Sequence, residues 1–207
     1  SLIGAIFIAV CISIGIYFIV LSPLNAIEEE KQILEELKVR LLMEEAELLN
    51  MRDKGLENQL KNLKSAHAET IETFNKLKKL EVLPSINKRI EKAIQVIISL
   101  QELQEERFKA FTNSAEPLLQ DAKDIFYSTG GVTFLQFYAS KHAREKEGIE
   151  VVYKRLEEFN RRLNILDDGL AAAIDELNTE MGVIEGEAQA IKKRSSLITI
   201  GLILLLG

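Results

Sequence analysis

All 58 charged side chains of this 207-residue chain (26 Lys and Arg, 32 Asp and Glu) lie between Glu28 and Arg194, leaving both ends without a charge. That segregation constrains the fold more than any motif does. Leu2 to Leu21 carries neither charge nor Pro, and at about 1.5 Å rise per residue it would cover roughly the 30 Å of a bilayer's hydrocarbon core. The expectation is a membrane span at residues 1–21. Leu197 to Leu206 is equally apolar but short, and is expected to be the start of a second span over 196–207. The lack of an initial Met leads us to expect upstream residues. The apolar run is too long for a signal-peptide core, and no A-x-A site follows it. These readings make the chain a multi-pass membrane protein with residues 22–195 between its two spans, and the flanking charges, acidic at Glu28 to Glu30 and basic at Lys192 to Arg194, disagree about orientation.

Between the ends, about one third of the residues are charged, against roughly a quarter in an ordinary globular domain. Such a chain buries a narrow core. Gly (11), Pro (3) and Trp (0) are scarce while Leu, Ile, Glu, Lys and Ala abound, which favours long helices. The formal charge of −6 is spread without a basic block, so nucleic acid is not an expected partner. Cys11 is the sole cysteine, so no intrachain disulfide can form.

Apolar residues recur at threes, fours and sevens from Leu24 to Leu80: Ile27, Leu34, Leu37, Leu41, Leu48 and Met51, then Leu56, Leu60, Leu63, Ile71, Phe74 and Leu77, with a phase slip near Gly55. This predicts one long helix. A second helix opens at Pro84 and Ser85 and carries Ile86, Ile90, Ile94, Ile97, Leu100, Leu103, Phe108 and Phe111. Asn113 to Pro117 reads as a turn with Ser114 as N-cap, and a third helix follows, interrupted at Ser128 to Gly131 by a kink or a loop. From Ile149 the clearest stripe begins: Val152, Leu156, Phe159, Leu163, Leu166, Leu170, Ile174, Leu177, Met181, Ile184, Ala188 and Ile191, with one stutter at Leu170.

Two spans in one bilayer require an even number of passes. The expected fold is therefore all-α: a membrane-anchored antiparallel bundle with a distal four-helix part (about 55–169) on a two-helix coiled-coil stalk (22–54 and 170–195). Gly55 and Gly169 fall at matching heights and are expected to form a hinge. Leu42, Leu49 and Val183 beside the seams predict a homodimer that covers them.

Catalytic motifs are missing: no H-E-x-x-H, P-loop, G-x-G-x-x-G, G-x-S-x-G or C-x-x-C occurs, so an enzyme is not expected, nor is a cofactor. His67 and His142 lack a second His or Cys at ligand spacing, so no metal site is expected. His67 lies within an apolar stripe as the one titratable core position. With Tyr127 and Arg155 at matching height in this topology, it predicts a small-anion pocket, although a packed bundle histidine explains the same letters. Tyr138 belongs to an aromatic cluster with Phe126, Tyr127, Phe134 and Phe137, read as packing or as a recognition surface that would add it to the ligand site.

An N-terminal span, a charged all-helical segment and an unbroken helix from His142 to Ser195 leading into a second apolar stretch together resemble the sensory region of bacterial methyl-accepting chemotaxis receptors. The resemblance is architectural and covers nearly the whole chain. It implies a dimeric protein of the cell inner membrane whose residues 22–195 are an extracytoplasmic domain that binds a small molecule, or a periplasmic binding protein carrying one, and passes a displacement of the last helix into the second span. Sensor histidine kinases share the plan. A membrane-tethered coiled-coil spacer or scaffold without a ligand is the alternative from a different class.

Overall fold

The computed structural model describes residues 2–16, 22–54, 56–80, 88–126 and 149–206. Within them the chain is all-helical, with five helices: α1 (Leu2–Ile16), α2 (Ser22–Lys54), α3 (Leu56–Lys79), α4 (Lys88–Phe126) and α5 (Ile149–Leu206). The 3–4 stripes explain both their formation and their burial. Leu34, Leu37, Leu41 and Leu48 of α2, Leu63, Phe74 and Leu77 of α3, and Leu166, Leu170 and Leu177 of α5 are almost wholly buried. Charged residues occupy the remaining faces.

The helices pack as a bundle. α2 lies against α3 and α5, and α4 lies against α5 and, less extensively, α3. Ion pairs fix the registers. Arg40 with Glu69, and Glu36 with Lys76 (3.1 Å), join α2 to α3 as antiparallel neighbours. Lys31 meets Glu185 at 3.0 Å across α2 and α5, Lys64 meets Glu116 at 2.6 Å across α3 and α4, and Arg89 meets Glu187 at 3.0 Å across α4 and α5.

These registers correct the expected topology. The chain does not run as one rod from Leu24 to Leu80: α3 folds back along α2, so 22–54 is not half of a two-helix stalk. A stripe of threes and fours looks the same whether a helix continues or reverses, and the phase slip near Gly55 falls where α2 gives way to α3. The expected turn at Asn113 is absent as well, because α4 passes through Asn113, Ser114 and Pro117 without a break. Pro117 withholds the N–H that would bond the Asn113 carbonyl. Both residues are exposed, so water can take that place. The Ser114 hydroxyl caps no helix; it donates to the Phe111 carbonyl at 2.7 Å. The start of the last helix at Ile149 agrees with the sequence pattern.

The multi-pass membrane assignment is also overturned. No helix among the described residues is long and apolar enough to cross a membrane. α1 has 15 residues, roughly 22 Å at helical rise against roughly 30 Å of hydrocarbon. Residues 17–21, which completed the expected first span, lie outside the described residues. The apolar end of α5 begins only after Lys192, Lys193 and Arg194. One expectation that followed from the two-span argument survives, since Lys192 Nζ and Glu28 Oε2 are 3.6 Å apart and the first and last long helices share one end of the bundle.

Candidate functional site

Halfway along the bundle the leucine seams give way to polar residues. Glu44 follows Leu41 by three and precedes Leu48 by four, so the α2 stripe itself carries it inward, to 1% exposure. The same periodicity on α3, from Leu63 by four to His67, carries the imidazole inward opposite it. His67 Nδ1–H donates to Glu44 Oε1 at 2.8 Å. The ring lies flat on Phe108 of α4, with centroids 3.7 Å apart and planes 9° apart. The carboxylate thus gains a buried donor and the imidazole an apolar face, the compensation that polar groups need away from water.

Glutamine and threonine fill the neighbouring levels. Gln101 and Gln104 occupy the α4 seam between Ile97 and Phe108, while Thr70 and Thr73 bond back to the carbonyls of Ala66 and Glu69. Gln101 Nε2 donates to Glu105 Oε1 at 2.6 Å, and Gln104 Oε1 accepts from Arg107 Nη1 at 3.2 Å. Gln101 Oε1 and Gln104 Nε2 are buried without a hydrogen-bond partner among the described residues. Leu100 and Leu103, expected in this seam, lie outside it: Leu103 is 42% exposed and Leu100 half-buried. The seam runs instead through Ile90, Ile94, Ile97, Gln101, Gln104, Phe108 and Phe111.

Arg107 crosses to α5 at Gly169. A Cβ at residue 169 would sit 2.5 Å from Arg107 Nη1 and 2.8 Å from its Cδ. Only a glycine lets the guanidinium stem lie against α5 at this point. Gly169 is therefore a packing contact within an unbroken α5. Below it, α4 and α5 bound an open groove of about 210 Å³, whose walls include Leu100, Gln104, Arg107, Gly169, Ala173 and Glu176.

Near the other end of α2 a further carboxyl is buried. Glu30 is 3% exposed, and loss of hydration pushes its pKa up to about 7, with the adjacent Glu29 adding to the shift. No cluster of acidic, His or Cys residues among those described could hold a metal ion.

Of the residues expected to form an anion pocket, the structure sets His67 and Arg155 apart. His67 is in the core, but Arg155 lies on an exposed face of α5, 14 residues before Gly169 and so roughly 20 Å higher. Tyr127 and Tyr138 lie outside the described residues, as does Gly55. The pocket rested on the rod topology, and the reversal of α3 takes its geometric basis away. Sequence reasoning missed Glu44, Gln104 and Arg107. Glu44 had a visible signal, since it and His67 stand 11 and 12 residues from Gly55, each at a seam position held by a polar residue. Comparisons with protein-family models, characterised proteins and solved structures give no match to this chain.

Proposed function

We propose that this chain is the input module of a signalling receptor: a helical bundle that binds a small molecule, or a ligand-loaded partner protein, and passes a displacement of its last helix to a signalling output. Chemotaxis is the first such output to consider and a histidine kinase the second. One observation carries the reading. α5 is a single helix of 58 residues that borders the polar levels of the core at Gly169 and Leu170 and continues past the foot of α2 and α4 to exposed Leu197, Ile198 and Ile200. A rod of that kind moves as a unit, and packed helix interfaces shift between discrete arrangements by about 1–2 Å. A core containing unpartnered amide atoms is easier to bias than a dry one, because a change that supplies a partner stabilises one arrangement selectively.

The module would work as a homodimer. Val39, Leu42, Met43 and Leu49 form an exposed stripe on α2 at helical spacing, each 43–51% exposed. A second copy laid along the bundle axis would cover it. The alternative, a spacer or scaffold that binds along the rod and senses nothing, needs only the stripe and not the polar core.

A thermal-shift screen against organic acids, amines and amino acids separates the two. A sensor gains melting temperature with its ligand, by mass action. A flat response across the panel, together with an α5 spin label that never changes environment, would favour the scaffold.

A further inference from the structure

The groove between α4 and α5 has a direction. Arg89 pairs with Glu187, and Arg107 lies against Gly169, so the two helices keep one antiparallel register that sets Glu176 level with Leu100. Arg107 and Gln104 therefore stand at one end and Glu176 at the other, seven residues below Gly169 and roughly 10 Å away. Between them the wall is apolar, with Leu100 on α4 and Ala173 on α5.

The upper end is rich in donors. Gln104 is a wall residue of the groove but only 2% exposed, and its Nε2 is buried with no partner among the described residues. Its Oε1 accepts from Arg107 Nη1, so the two side chains form one polar unit. Arg107 brings a planar guanidinium with five N–H donors, only one of which this bond uses. Gly169 supplies the space in which it lies. What is missing at this end is an acceptor with negative charge. A carboxylate meets both donors, because its two oxygens accept in one plane.

We propose that the groove binds a small aliphatic carboxylate, its head on the Arg107 guanidinium and, with a turn of the buried amide toward the groove, on Gln104 Nε2, and its chain along Leu100 and Ala173. A chain of about four to six carbons suits a groove roughly 10 Å long that opens to solvent on one side. Glu176 stands roughly 6–10 Å along the groove from the head, where its charge opposes the ligand's and is partly screened by salt. A compact dianion would lack the apolar contact, and an aliphatic amine would bring a cation to Arg107.

Binding itself does not depend on the receptor reading; only the consequence of binding rests on it. The test titrates hexanoate into the whole chain, following amide chemical shifts and melting temperature. The expected result is saturable binding with shifts centred on Gln104, Arg107 and Gly169. Affinity should fall about tenfold or more in Arg107→Gln, since a charge-assisted pair is lost. It should also fall in Gly169→Ala, where the new methyl displaces Arg107. Glu176→Gln should bind as tightly as the native chain or more tightly. Gln104→Leu should not bind, yet should melt no lower than the native chain because it removes an unpartnered buried donor; this separates loss of the site from loss of the fold. Absence of saturable binding, or equal affinity in the native chain, Arg107→Gln and Gly169→Ala, would overturn the proposal. Saturable binding without any response of an α5 label would support the site while removing the receptor reading.

Discussion

Two adjoining levels of the same bundle are built by opposite rules. At the height of Leu37 and Phe74 the core is drier: both are wholly buried, and buried Thr73 beside Phe74 bonds back to the Glu69 carbonyl of its own helix. Two turns along, at Glu44 and His67, it is a hydrogen-bonded pair under a phenylalanine. The dry level holds by area removed from water and tolerates no loss of volume. The polar level holds only while both members of its pair are present, since either alone leaves a buried group without a partner. The first fixes the fold, and the second makes one arrangement of helices distinguishable from another.

That contrast can be broken by mutation. Phe74→Ala should cost the most, about 3–5 kcal/mol in urea unfolding, because it leaves a cavity in the dry level. If it cost no more than Thr70→Ala, the levels would not differ as described. Glu44→Leu should cost about 2–3 kcal/mol by stranding His67, while adding His67→Leu should recover most of that loss. A double-mutant cycle measures the coupling, and additive losses would show that the pair is not a unit.

Glu30 sharpens the contrast with Glu44 because it is a buried carboxyl for which no hydrogen-bond partner is observed among the described residues. Its pKa is raised from 4.5 to about 7, so its contribution to stability is fully present below about pH 4.5 and is lost as pH rises through 7. Glu30→Gln should remove that slope and leave the chain more stable at pH 8 by on the order of 1 kcal/mol, allowing for residual solvent screening. Chemical denaturation of both forms at pH 5 and pH 8 checks it. The smallest effect belongs to Gly169→Ala. The added methyl must push Arg107 aside, and because that side chain is flexible the loss should be about 1 kcal/mol or less. A gain in stability would instead favour the hinge reading.

Much of the core was legible in the sequence, and the topology was not. The stripes of α2, α3 and α5 predicted Leu34, Leu41, Leu63, Phe74, Leu166 and Leu177 as buried, and they are. Periodicity reports which face of a helix is apolar, but not what lies against it. It therefore could not distinguish a rod that continues from Lys54 to Leu56 from one that reverses there. The α4 seam was misplaced for a related reason: Leu100 and Leu103 outweigh Gln101 and Gln104 on any hydropathy reading, yet the 3–4 rhythm from Ile97 to Phe108 passes through the glutamines. Pro117 misled because proline is read as a boundary, whereas on an exposed helix face its unbonded carbonyl has water available. The site failed to appear for want of the reversal, which alone brings Glu44 to His67.

The central claim is that α3 returns along α2, and a single distance tests it most directly. Val39 and Glu72 are both exposed and lie level in the observed register. Spin labels at these positions should be separated by about 10–20 Å, as expected for neighbouring helix axes about 8–10 Å apart with label arms added. A separation near 50 Å, the length of 33 residues of uninterrupted helix at about 1.5 Å each, would mean that the rod continues and that Glu44 never meets His67.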